Sequence, residues 1–219
     1  DGSYEMDYDA FEKAIVENDV KMFILCNPHN PIGKVWTKEE LYQIGKICQK
    51  HHVYVVSDEI HMDFIYSGHQ HIPFYNVDPA FGDFSIICSA PSKTFNLAAL
   101  QTSNIIIKNK DMREKFQDEK NASGMSDPNI FGLEACEAAY TFGAKWVDEL
   151  LVYLADNIQY MKDFFKEAGD DYNIDGIAFH PYGGNASTMG SFYDNYKDKL
   201  SMNLTERSVW GTSGANDII

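Results

Sequence analysis

Four short apolar runs, each closed by turn-forming residues, limit what this chain can fold into. They are Met22-Phe23-Ile24-Leu25-Cys26, Val53-Tyr54-Val55-Val56, Phe84-Ser85-Ile86-Ile87-Cys88 and Asn104-Ile105-Ile106-Ile107. Runs of this length that are continuous rather than alternating suit strands covered on both faces. Helical patterns separate them. Tyr8 to Asn18 carries Phe11, Ile15 and Val16 on one side. Thr37-Lys38-Glu39-Glu40 has the form of a capping box and opens a helix to about Lys50, with Leu41, Ile44, Ile47 and Cys48 on its apolar face. Strand, helix, strand in this rhythm demands crossover connections. The expected class is therefore α/β: a three-layer sandwich with a mostly parallel sheet and helices on both faces.

Further along, Asp127-Pro128 reads as an N-cap followed by proline at the first helical position. A long amphipathic helix is expected from Ala144 to Ala168, with Trp146, Leu150, Leu151, Leu154, Ile158, Met161 and Phe165 as its stripe and Gly169 as its end. After Tyr172 the character changes. Gly176 to Ile219 is rich in Gly, Ser, Asn and Thr, and no element is assigned there. Residues 1–170 are thus expected to form the core of one large domain, and 171–219 a divergent or truncated tail. The chain opens on Asp1 rather than Met and is expected to be the interior of a longer protein whose upstream part is missing.

Charge and cysteine usage exclude several classes of partner. A net charge of −15, with Arg113 and Arg207 as the two arginines, argues against nucleic acid and against an anionic membrane surface. No apolar run approaches the length of a membrane span, and no signal peptide is read at the start. The four cysteines are scattered without metal-ligand spacing, which suits a reduced, cytoplasmic protein.

Open α/β sheets bind their ligands outside the carboxyl ends of the strands. Asn30 follows the first run, Asp58 the second and Lys93 the third, so parallel strands bring all three to one edge. Lys93, between Pro91 and Phe95, is expected to lose part of its water shell, which would lower its pKa. An amine, a carboxylate and an amide in one crevice are what pyridoxal 5'-phosphate requires. The amine captures the aldehyde, the carboxylate keeps the pyridine nitrogen protonated, and the amide bonds the phenolic oxygen. Metal sites compete less well. Gly68-His69-Gln70-His71 lacks a third ligand of clear spacing, and a cluster of Asp58, His61 and Asp63 leaves Asn30 and Lys93 unexplained.

Three segments carry a family resemblance: Cys26-Asn27-Pro28-His29-Asn30-Pro31-Ile32-Gly33, Ser57-Asp58-Glu59-Ile60-His61 and Ala90-Pro91-Ser92-Lys93-Thr94-Phe95-Asn96-Leu97. In order and spacing they resemble fold-type I aminotransferases of class I/II, and most closely the cystathionine β-lyase branch of carbon–sulfur lyases. The likeness runs from about Asp1 to Phe165. It implies the large-domain fold of the pyridoxal phosphate-dependent transferases. Lys93 would be the lysine that binds the cofactor aldehyde, Asp58 the pyridinium partner and Asn30 the phenolic-oxygen partner. His61 takes the place of a tyrosine that reaches the same oxygen in many relatives, and Ser89 and Ser92 are candidates for the cofactor phosphate. Gln101 stands where many relatives carry a phosphate-binding arginine. The glycine-rich phosphate loop, the ring-stacking aromatic and the arginine that clamps the substrate carboxylate find no match in this chain.

The expected reaction is β-elimination from cystathionine or a related cysteine S-conjugate, giving thiol, pyruvate and ammonia. The partners are a small-molecule amino-acid substrate and, for the complete protein, a second copy in a homodimer. Two alternatives share these residues. One is a transaminase, which needs a keto-acid acceptor. The other is an inactive remnant that keeps the fold and serves as a binding or regulatory partner.

Overall fold

The computed structural model describes residues 4–125, 127–168, 176–179 and 201–204. The chain divides into two compact units, Asp1–Ala155 and Asp156–Ile219. Four strands form the sheet of the first unit in the order β1 (Met22–Cys26), β2 (Tyr54–Asp58), β3 (Ser85–Ser89), β4 (Asn104–Ile107). β1, β2 and β3 are parallel, and β4 runs antiparallel to β3. The sheet is mostly parallel, as the crossover rhythm predicts.

Local chemistry sets the helices. In α1 (Tyr8–Glu17), the Asp7 carboxylate accepts from the Ala10 N–H at the N-terminus. Ile15 is buried in the core and Phe11 meets Phe23 of β1 edge-on, whereas Val16 stands exposed. The capping box of α2 (Lys38–Lys50) forms as expected: Thr37 Oγ1 accepts from the Glu40 N–H, and Glu40 accepts from the Thr37 N–H at 2.8 Å. α2 buries Leu41, Ile44, Gly45 and Cys48. Gly45 is required by close approach, since a Cβ there would lie 2.1 Å from Cε2 of Phe81. Phe81 stacks on Phe74, with ring centroids 5.1 Å apart, and both are fully buried.

The link from β2 to β3 contains α3 (Phe74–Val77) and a 3-10 turn over Pro79–Asp83. Beyond β3, α4 (Pro91–Thr94) and a second 3-10 turn over Ala98–Leu100 lead to β4. α5 (Lys110–Ala122) buries none of its residues. α6 (Ile130–Phe142) starts two positions later than an N-cap at Asp127 predicts. Asn129 caps it, its Oδ1 accepting from the Gly132 N–H at 2.8 Å while its Nδ2 donates to the Leu100 carbonyl at 2.9 Å. The second tie, to a distant turn, favours Asn129 over Asp127. α7 (Ala144–Ala168) occupies the expected range.

Within the second unit, β5 (Gly176–Phe179) pairs in parallel with β6 (Ser201–Leu204), two elements that the composition of this region does not announce. Gly169, Tyr172 and Arg207 lie outside the described residues. Among the described residues no helix is long and apolar enough to cross a membrane.

Strand register assigns the two faces of the sheet. Phe23 pairs with Val55 and Leu25 with Ser57, which in turn pairs with Ile87. This face packs on α1, α2 and α3, and Leu25, Val55 and Ile87 belong to its core. The opposite face carries Met22, Ile24, Tyr54 and Val56, then Cys26, Asp58 and Cys88 side by side at the carboxyl edge. Met22, Ile24 and Tyr54 are exposed there.

Candidate active site

The ladder continues one step beyond the strand ends. The Asn27 N–H donates to the Asp58 carbonyl at 2.9 Å and the Glu59 N–H to the Cys88 carbonyl at 2.8 Å. Three loops therefore leave the sheet from one edge, and each carries one predicted residue.

The first loop is tight. His29 donates its N–H to Lys34, Gly33 donates to His29, and Gly33 adopts φ +67°, where a side chain would be strained. Trp36 pins the loop to β1 by donating Nε1–H to the Cys26 carbonyl at 2.9 Å. Asn27 is buried and donates to the Ile72 carbonyl at 3.1 Å. Asn30 lies at the exposed tip. Its N–H reaches Cys26 Sγ at 3.4 Å, and its side-chain amide bonds nothing among the described residues.

Asp58 is the last residue of β2, half-buried, with Oδ1 accepting from the Ile60 N–H at 3.2 Å. Its charge, together with burial as the larger cause, raises the pKa of both neighbouring thiols, Cys26 and Cys88. His61 is half-buried, and its pKa is lowered first by burial and then by the Lys93 charge, with Asp58 opposing. The imidazole is thus neutral near pH 7 and feels both partners. Asp58, His61 and Lys93 form one electrostatic cluster.

Lys93 departs from expectation in one respect: it is exposed rather than desolvated. In the short turn of α4, Pro91 and Thr94 sit three residues apart and both face inward, which leaves Lys93 facing out. Ser92 is half-buried beside it. Ser89 is buried at the end of β3, and strand alternation turns it to the sheet face opposite Asp58 and Cys88. The edge thus gathers Asn30, Asp58, His61, Ser92 and Lys93, and sets Ser89 apart.

Two pairs that sequence reasoning missed hold this edge. Thr94 Oγ1 donates to Asp63 Oδ2 at 2.7 Å and fastens the lysine-bearing turn to the loop of His61. Phe95 extends the anchor, stacking on Trp146 at 5.7 Å and meeting Tyr140 edge-on at 5.8 Å. The Tyr140 hydroxyl is pushed up to about 12 by burial and then by the Asp63 and Cys136 charges, so it stays protonated. The second pair is Glu59 with His71. Glu59 is 1 % exposed, and its carboxylate accepts from Ser57 Oγ at 2.8 Å, from the Phe74 N–H at 2.9 Å and from His71 Nε2 at 2.9 Å. A buried carboxylate is tolerated when donors satisfy it this fully. An acidic residue directly after an apolar strand was the available signal. The histidine pair His69 and His71 is divided by this arrangement, because His71 turns to Glu59.

The chain is 44% identical over 164 residues to the cystathionine beta-lyase PatB of Bacillus subtilis, covering 75% of this chain and 42% of that protein. It is 40% identical over 168 residues to the protein MalY of Escherichia coli, covering 76% and 42%. Its fold matches the crystal structure of cystalysin from Treponema denticola, which contains a pyridoxal 5'-phosphate cofactor, with TM-score 0.74, 39% identity and coverage of 78% of this chain and 43% of that one. The chain therefore spans about two fifths of the length of the curated relatives it matches. The family model for aminotransferase class I and II matches residues 1–215, and the chain belongs to that family.

Proposed function

We propose that this chain carries the lysine-bearing part of a pyridoxal 5'-phosphate site that cleaves a carbon–sulfur bond by β-elimination. The substrate would be cystathionine or a related cysteine S-conjugate. One observation carries the proposal. Asn30, Asp58 and Lys93 leave the carboxyl ends of three adjacent parallel strands, and His61 lies within the fields of both Asp58 and Lys93. The donor set fits the cofactor. It offers a carboxylate whose Oδ2 accepts no hydrogen bond among the described residues, an unengaged amide and an accessible amine. The identity to the cystathionine beta-lyase PatB favours the lyase branch over the transaminases.

Bound at this edge, pyridoxal phosphate would supply an aldehyde that captures amines and a ring that accepts an electron pair. Asp58 would hold the pyridinium proton, Asn30 would donate its amide N–H to the phenolic oxygen, and neutral His61 would bond the same oxygen. Ser92 and Ser89 would be the candidates to donate to the phosphate. The Lys93 amine, displaced by the substrate amine, would take the α-proton as general base. As the Cβ–S bond breaks, the sulfur would leave as thiolate and take that proton from the Lys93 ammonium. Hydrolysis of the unsaturated product gives pyruvate and ammonia. We place the protein in the cytoplasm, in keeping with its four free cysteines, and read the complete enzyme as a homodimer.

The test is an absorbance spectrum of the full-length protein with added pyridoxal phosphate, followed by cystathionine with no keto acid present. A visible band that Lys93→Ala abolishes, with pyruvate released, is the expected result. Turnover that appears only when a keto acid is added would replace lyase by transaminase. The absence of any band would leave a binding remnant of the fold.

A further inference from the structure

A cavity of about 410 Å³ lies between the loop after β1 and the loop after β2. Two of its lining residues, Asn30 and His61, also belong to the candidate active site, and His61 feels the charges of both Asp58 and Lys93, so the cavity adjoins that site. The remaining walls are mainly proline, aromatic and aliphatic, including Pro31, Val35, Phe64 and Tyr66. Among the described residues, none that lines it is Asp, Glu, Lys or Arg. A volume of this size suits a small organic group, and walls of this kind suit an uncharged one.

We propose that this cavity is the subsite for the sulfur substituent of the substrate, and that it selects an apolar or aromatic thioether arm over a zwitterionic one. The inference rests on the lyase assignment above and narrows it. An amino acid held with its α-carbon at the Lys93 amine would reach this space by way of Asn30 and His61, which belong to both the site and the cavity wall. The distal arm of cystathionine carries an ammonium and a carboxylate. Both would lose water there without a counter-ion, a loss that apolar walls do not return. A benzyl thioether has no such penalty, buries apolar surface, and places sulfur and ring among Phe64, Tyr66 and the imidazoles. His61, held neutral, adds no charge to the entrance.

The experiment compares S-benzyl-L-cysteine, L,L-cystathionine and β-chloro-L-alanine in the full-length holoenzyme. The last of these has a leaving group too small to enter the cavity. The expected kcat/KM for S-benzyl-L-cysteine exceeds that for cystathionine at least tenfold. Ser67 is exposed at the rim, and Ser67→Trp should lower the ratio of kcat/KM for S-benzyl-L-cysteine to that for β-chloro-L-alanine by tenfold or more. A preference for cystathionine, or a ratio unmoved by Ser67→Trp, overturns the inference. If β-chloro-L-alanine itself is not turned over, the lyase assignment has failed. The cavity is then decided by titrating benzyl methyl sulfide while observing the imidazole resonances of His29, His61 and His69. Shifts that Ser67→Trp removes support an apolar subsite, and their absence rejects it.

Discussion

On one face of the sheet Leu25, Val55 and Ile87 are packed away from solvent, whereas on the other Met22, Ile24 and Tyr54 of the same strands are exposed, Ile24 by 69%. The end of β2 repeats the contrast with two adjacent carboxylates. Glu59 takes three donors and is sealed in the packed side. Asp58, one residue earlier and half-buried, takes one backbone N–H and keeps an oxygen unengaged among the described residues. Acidity alone does not distinguish them. The number of hydrogen-bond donors each meets separates a carboxylate that ties the fold together from one that keeps an oxygen unengaged among the described residues.

The contrast can be broken most forcefully from the packed side. Phe81→Ala empties the space between α2 and α3 and should destabilise the protein by about 3–5 kcal/mol in urea unfolding. A loss below about 1 kcal/mol would mean that this face is not the core. Next come the carboxylates. Glu59→Gln, which disrupts the bond to His71, should lower stability by about 1–3 kcal/mol. Asp58→Asn should change stability by less than about 1 kcal/mol yet abolish retention of pyridoxal phosphate on gel filtration. Equal stability losses would erase the distinction.

A smaller effect is expected from pH. The pKa of His61 is lowered in the folded state, while the unfolded chain titrates near its ordinary value of about 6.5. As pH falls, the unfolded chain binds the proton first, so the His61 contribution is present above about 6.5 and lost as pH drops through the folded value. His61→Gln should flatten the pH dependence of the unfolding midpoint between about pH 7 and 5. An unchanged slope would show that the site does not depress this histidine. Last, Ile24→Thr on the open face should shift stability by no more than about 0.5 kcal/mol. A larger loss would show that something covers this face in solution.

Features written within a few neighbouring residues were legible in the sequence. The capping box of α2 needs only Thr37 and Glu40, and β1 to β3 are announced by their own apolar runs. Asn30, Asp58 and Lys93 could be singled out because each lies within five residues of the end of such a run. Features that depend on distant partners were not legible. The direction of β4 is not encoded in Asn104–Ile107, and Asn129 outcompetes Asp127 partly through a bond to Leu100. α5 has no buried residue and so offers no apolar stripe to detect. Cover on both faces of β1 was expected from its composition, but composition does not distinguish a covered apolar face from an open one. The bonds of Glu59 to His71 and Asp63 to Thr94 join residues 12 and 31 positions apart, and only the folded chain brings them together.

The bond between Glu59 and His71 has a consequence for the variability of this protein. It joins the two feet of the segment from Ile60 to Gln70, which contributes His61, Phe64, Tyr66, Ser67 and His69 to the cavity wall. A segment clasped at its base behaves as an interchangeable cassette, in which the span between the feet can change in length and composition while β2 and Asp58 keep their places. Under the lyase activity proposed above, diversification of the leaving group would proceed by exchanging the cassette, with the residues around Lys93 unchanged.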